Sequence, residues 1–103
     1  MQDYKLEILE PAWIELDEIA DYHLLMVGPK SAKRITDQIL NSLGKLRSFP
    51  LSGAQIQDTE LKDHGYRFVI SGEYICIYRL IGVTVSVYHI VHSSRDYPRL
   101  FRP

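Results

Sequence analysis

This sequence predicts an α+β fold: an N-terminal strand, an αα-hairpin and a three-stranded antiparallel meander, with the helices on one face of a four-stranded sheet. Three observations carry the prediction. The C-terminal part holds three runs rich in aromatic and β-branched residues, parted by glycines where tight turns fit. Two stretches upstream repeat apolar residues at helical spacing and meet at Gly28-Pro29. Ahead of both, Tyr4 to Leu9 alternates weakly, as a strand does.

After that strand, Pro11 suits the first turn of a helix, where its missing N–H is not needed. From there Trp13, Leu16, Ala20, Leu24 and Val27 recur at helical spacing, with Glu15, Asp17, Glu18 and Asp21 off the stripe. Trp13 opens this stripe and is expected to anchor the hairpin to the sheet. Gly28-Pro29 ends one helix and starts the next, whose apolar stripe is Ala32, Ile35, Ile39, Leu43 and Leu46. Pro50 stops the second helix. So tight a link makes the pair an αα-hairpin with one apolar face left to cover the sheet. Residues 51–65 are polar and unpatterned, a loop with at most one helical turn. The strand runs are Tyr66 to Ile70, Tyr74 to Leu80 and Val83 to Val91, with Ser71-Gly72 and Gly82 at the turns.

A chain of 103 residues, 46% hydrophobic and 24% charged, bounds one domain over 1–103 with a single core. No apolar run approaches the roughly 20 residues of a membrane span, and MQDYKLEILE has no signal-peptide pattern. A cytoplasmic protein with no membrane partner is expected. The lone Cys76 has no internal disulfide partner and reads as a reduced core thiol. Net charge is −1, but residues 1–27 carry seven acids and one base while residues 28–103 carry eleven bases and six acids. That polarity gives a positive side able to attract nucleic acid or an acidic segment, unless both are ordinary solvated faces.

Polar side chains recur within the meander, so one face of the sheet is expected to be open. Arg67 lies between Tyr66 and Phe68 and points away from their face, where a guanidinium can grip phosphate; the alternative is a solvated arginine paired with an acid. Arg79 shares the side of Ile75 and Ile77, as a target contact or a cation at the sheet margin. His89 falls with Val85, Val87 and Val91 and reads as a bonded core histidine, whereas His92 falls with Ser86 and Tyr88 on the open face. Three apart on a flat strand, the two histidines cannot chelate one metal, and no carboxylate or thiol cluster joins them. No phosphate-binding glycine loop is present either, so neither cofactor nor metal is expected. In the tail, Arg95-Asp96 reads as a local ion pair, or Tyr97 or Phe101 stacks on a base with Arg95, Arg99 and Arg102 on phosphates.

The segment YRFVISGEYICIYRL…VYHIVHSSRDYPRLF resembles the C-terminal half of the RelE/ParE superfamily, the toxins of bacterial type II toxin–antitoxin modules. GPKSAKRITDQILNSLGKLRSFPLSG is similar to that family's second helix, and the likeness runs from Tyr4 to Phe101. It implies a growth-arresting toxin held by a cognate antitoxin that folds on binding. Ile14 and Leu25, off the first helix's stripe, would suit such a partner's anchors. The resemblance implies one of two targets. ParE-like members poison DNA gyrase and are not enzymes. RelE-like members cut mRNA on the ribosome without metal, and there Arg67 and His92 would be catalytic.

Ribonuclease members usually carry an arginine after the Tyr of the GxY turn, where this chain has Ile75. Loss of that cation removes a transition-state stabiliser. Near-neutral charge also argues against a ribosome binder. The ParE-like, gyrase-directed reading therefore leads, with Arg67, Arg79, Arg95, Tyr97 and Arg99 as target contacts. The alternatives are a RelE-like mRNA endonuclease and a non-catalytic α+β interaction module.

Overall fold

The computed structural model describes residues 3–101. Lys5–Ile8 forms β1, Glu10–Met26 α1, Pro29–Gly44 α2, Ala54–Gln55 β2, Thr59–Asp63 α3, Tyr66–Ser71 β3, Tyr74–Ile81 β4 and Thr84–His92 β5. Short 3₁₀ turns follow α2 at Lys45–Arg47 and β5 at Tyr97–Phe101. The sheet is mixed and five-stranded, in the order β1-β5-β4-β3-β2, with β1 parallel to β5 and the remaining pairs antiparallel. The fold class follows the sequence; the fifth strand does not. β2 has only two residues, too short to show alternation, and exists because Ala54 and Gln55 pair with Phe68 and Arg67.

Both β-hairpins turn on a glycine with φ +60° followed by a residue of negative φ, the pattern of a type II′ turn. The pairs Ser71–Tyr74 and Ile81–Thr84 close them, so Gly72-Glu73 and Gly82-Val83 occupy the turns. Gly28 between the helices has φ +141°, a conformation that favours glycine.

The main core lies between the hairpin and one sheet face. Ala12 and Leu16 of α1, Ile39 and Leu43 of α2, and Leu46 meet Tyr74, Cys76, Tyr78, Val85, Val87 and Ile90. The α2 stripe is as the sequence indicates; the α1 stripe is displaced by one residue. Ala12, at 0% exposure, takes the buried position, and Trp13, at 46%, does not anchor the sheet. α1 is apolar on two sides, and a bulky Trp beside a small Ala masks which side packs.

The opposite face is not open. Ile56, Leu61, Ile75, Ile77 and Val91 form a second core, roofed by Tyr66, Phe68, Tyr97, Leu100 and Phe101. Between the two cores β5 changes phase. Tyr78 pairs with Val87 and Ile77 with His89, leaving Tyr88 as an extra residue. This β-bulge reverses the facing of every residue after it. Val85, Val87 and Ile90 all face the helices, whereas Val91 faces the second core.

Cys76 is a buried free thiol at 0% exposure, and burial pushes it up to about 12. Between about pH 9 and 12 the unfolded chain gives up this proton while the folded chain holds it, so stability must fall as pH rises through that window. The buried Tyr74 and Tyr78 hydroxyls, also raised by desolvation, act in the same direction above their usual value of about 10. Urea midpoints at pH 7, 9 and 10 should therefore decline. Cys76→Ala should flatten the early part of that decline; an unchanged slope would show that the thiol is not the group responsible.

Candidate functional site

Three parts of the surface hold the residues with chemical or docking potential. The first is the outer face of the hairpin. Ile14 is 49% and Leu25 82% exposed, and Trp13, Tyr22, Leu24, Met26 and Val27 stand out beside them. The last turn of α1 presents Leu24, Leu25 and Met26 to solvent, with the half-buried His23 on its packed side. Acids Glu10, Asp17, Glu18 and Asp21 share that outer surface.

The second is a cleft where α1 meets the ends of β4 and β5, lined by residues that include Glu18, Tyr22, His23, Glu73, Tyr74, His92 and Arg95. Helical spacing from Ala12 through Leu16 and Ile19 carries His23 to the packed side of α1. There its Nε2 lies 3.0 Å from the Tyr74 hydroxyl and its Nδ1 3.2 Å from Ser31 Oγ. This chain ties α1, the start of α2 and β4 together. The sequence reading missed His23, Ser31 and Glu15; the stripe 12, 16, 19, 23 is the signal that finds His23.

His92 reaches the cleft because of the bulge. It sits on the helix side of the sheet, opposite Tyr74 with rings edge-on at 5.7 Å, and not with Ser86 and Tyr88. It is exposed, and its Nδ1 engages the Ser94 hydroxyl at 2.7 Å and the Ser94 N–H at 3.1 Å. His89 exchanges places with it. It faces the second core, edge-on to Phe101 at 5.1 Å, with Nδ1 3.0 Å from Glu15 Oε2. Its hydrogen-bonded, half-buried state is as the sequence suggests; its face is the reverse.

The third part is the set of arginines. Arg67 does point away from Tyr66 and Phe68, yet it is half-buried and committed to backbone. Its Nη1 donates to the Gly53 carbonyl at 2.9 Å and the Leu51 carbonyl at 3.3 Å. Arg79 is sandwiched between Tyr66 and Tyr88, 4.8 and 5.5 Å from their ring centroids. It donates to the Tyr88 hydroxyl at 2.9 Å and the His64 carbonyl at 3.4 Å, and its buried Nε has no partner. Arg95 and Arg99 are exposed. Arg95 and Asp96 form no ion pair within 4.0 Å. Tyr97 and Phe101 pack into the second core rather than standing free to stack on bases, and burial raises the Tyr97 hydroxyl. Arg102 lies outside the described residues.

Arg67 and His92 are not neighbours. Arg67 pairs with Tyr78 and His92 with Tyr74, on strands either side of β4. Four residues along a strand and two strand spacings across put their Cα atoms roughly 16 Å apart. Arg67 is held by the Gly53 and Leu51 carbonyls and His92 by Ser94, so the two do not converge on one site. Ile75, at 6% exposure, lies in the second core. No group of three or more His, Cys, Asp or Glu able to hold a metal occurs among the described residues, and no helix among them is long and apolar enough to cross a membrane.

A small mixed sheet with a helical hairpin on one face and a C-terminal tail on the other defines a small α+β protein with exposed apolar side chains on the hairpin. The model for the ParE toxin of the type II toxin–antitoxin system parDE matches residues 6–97, and the chain belongs to that family. It is a toxin of a type II toxin–antitoxin system. No curated protein matches.

Among solved structures, the chromosomal ParDE system from P. aeruginosa aligns with TM-score 0.73 at 19% identity, covering 86% of this chain and 95% of the other. The toxin–antitoxin complex RelBE2 from Mycobacterium tuberculosis gives 0.65 at 19% identity, over 87% of this chain and 98% of the other. A double arginine-to-alanine mutant of E. coli toxin RelE in the free state gives 0.67 at 14%, over 96% and 93%. These likenesses confirm the shared fold.

Proposed function

We propose that this toxin acts on DNA gyrase as a binding inhibitor, without chemistry of its own, and that a cognate antitoxin neutralises it. The observation that carries the reading is the dispersal of the nuclease candidates. Arg67 holds backbone carbonyls, His92 lies roughly 16 Å away, and buried Ile75 fills the place where the RNA-cutting relatives usually carry an arginine. Phosphoryl chemistry needs preorganised cations converging on one phosphate. Of the residues suggested as target contacts, Arg95 and Arg99 are exposed and free to reach a partner, whereas Arg67, Arg79 and Tyr97 serve packing.

The neutralising segment is assigned to the hairpin's outer face, where Ile14 and Leu25 offer apolar anchors. The P. aeruginosa and M. tuberculosis structures are of a ParDE system and a RelBE2 complex, which supports an antitoxin partner here.

Two parallel assays on the purified toxin test the target. Supercoiling by gyrase should fall as toxin is added, and Arg95→Ala with Arg99→Ala should weaken that inhibition about tenfold or more, the scale of interface contacts worth about 1.4 kcal/mol. A ribosome assay should show no mRNA cleavage. Clean A-site cleavage by the wild type, lost in Arg67→Ala or His92→Ala, would overturn the proposal.

A further inference from the structure

The two helices of the hairpin carry opposite charge. α1 (10–26) has five acids and no Lys or Arg, whereas residues 29–47 have five bases and one acid. They pack side by side and antiparallel, yet among the described residues no ion pair within 4.0 Å joins the two helices. Lys33–Asp37, at 2.7 Å, is an ion pair within α2. Glu10, Asp17, Glu18 and Asp21, like Lys30, Arg34 and Lys45, are exposed and make no ion pair within 4.0 Å with another described residue. Among the acids stand the exposed apolar side chains Trp13, Ile14, Leu24 and Leu25.

From these observations we infer that the outer face of the hairpin binds the same face of a second copy. The symmetry makes the pairing specific. A two-fold axis parallel to the helices and lying between the two layers places α1 of one protomer over α2 of its partner. The arrangement is an antiparallel four-helix bundle with an isologous interface. Because the hairpin turns at Val27–Pro29, residues equally far from the turn stand level on the two helices. That register sets Asp21 of one copy opposite Arg34 of the other, and Glu10 opposite Lys45. The apolar side chains of α1 fill the seam between them.

The face is limited in size. It is about 25 Å long and about 20 Å wide, so each partner contributes on the order of 500 Å². That total sits at the lower edge of specific interfaces, so a reversible dimer is expected rather than a permanent one. The inference does not rest on the gyrase reading; it concerns the toxin alone, and the antitoxin proposed above competes with the second copy for this face.

Sedimentation equilibrium on the purified chain tests it. The wild type should associate to a dimer at micromolar concentration. Asp21→Arg and Arg34→Glu should each raise the dissociation constant about tenfold or more, because two symmetric contacts turn repulsive at once. The double variant Asp21→Arg/Arg34→Glu should restore dimerisation by exchanging the charges. Circular dichroism of each variant, unchanged at these exposed sites, separates lost pairing from lost folding. A monomer at all accessible concentrations overturns the inference, as does a dimer indifferent to both single changes, or a double variant as weak as the singles. A monomeric toxin whose hairpin face binds only an added antitoxin would also overturn it.

Discussion

Glu15→Ala is expected to destabilise the fold by about 3 kcal/mol, the scale for removing one partner from a buried, charge-assisted network. β1 covers β5 only as far as Val87, and beyond that point the edge of β5 would be bare. α1 crosses this edge and Glu15 closes it. Its Oε1 accepts the Ile90 N–H at 3.0 Å, and its carboxylate meets His89 Nδ1 at 3.0 Å. Both side chains of the pair are only 16% exposed, so water replaces little of what is lost.

Alanine at position 15 leaves a strand N–H and an imidazole without their acceptor in a chain of ordinary marginal stability. A fall in melting temperature of about 15 °C should follow, read by calorimetry. Glu15→Gln keeps an acceptor for Ile90 and should recover a large part of the loss. If alanine and glutamine cost the same small amount, Glu15 does not close the edge. The inhibition of gyrase proposed above should survive Glu15→Gln, because Glu15 acts on the fold and not on the tail arginines.

Gly53→Ala should be at least as damaging, for a steric reason. A Cβ there would lie 2.5 Å from the Tyr78 hydroxyl oxygen, 2.7 Å from its ring and 2.8 Å from the Phe68 carbonyl oxygen. Neither neighbour can retreat. Tyr78 is at 0% exposure in the middle of the main core, and the Phe68 carbonyl belongs to the sheet. The Gly53 N–H donates to the Tyr78 hydroxyl at 3.0 Å, and its carbonyl accepts from Arg67. Relieving the clash therefore disturbs β2, the Arg67 anchor and the core tyrosine together.

A cost of about 3 kcal/mol or more is expected, the upper range for overpacking. Gly82→Ala is the control. Gly82 also has φ +60° but nothing within 4 Å of its Cβ position, so only backbone strain of about 1–2 kcal/mol applies. Urea denaturation of the two variants side by side checks the difference. Equal midpoints would mean that the loop at 51–53 yields freely and that the close approach of Gly53 is not needed.

Much of this architecture could be read from local signals. Gly72 and Gly82 between β-branched runs specify the two hairpins, and Gly28-Pro29 specifies where one helix gives way to another. The α2 stripe of Ile35, Ile39, Leu43 and Leu46 contains only one possible core face. α1 is the counter-example. Trp13, Leu24 and Val27 satisfy the helical period as well as Ala12, Leu16 and Ile19 do, and periodicity alone cannot rank two apolar faces of one helix. The two-residue β2 is invisible for a similar reason, since its extended backbone is dictated by β3 beside it.

The candidate residues divide along the same line. Which residue types stand near the strand ends is plain from the sequence, and so is the absence of an arginine at position 75. Which way those residues face depends on one unpaired residue. The extra residue Tyr88 enters β5 because Val87 and His89 both find partners on β4. Strand alternation has a period of two, so a single insertion exchanges the surroundings of His89 and His92.

The supposed open face was closed by residues far along the chain. Tyr97, Leu100 and Phe101 fold back over Ile75 and Ile77, and Arg79 is drawn between Tyr66 and Tyr88. By itself, then, the sequence determined the elements, their order, the turns and the charge divided between two adjacent helices. The packed chain decided which face of α1 is inside, where the β5 register slips and which arginines remain free. Those choices depend on contacts between residues distant in sequence, which no local pattern encodes.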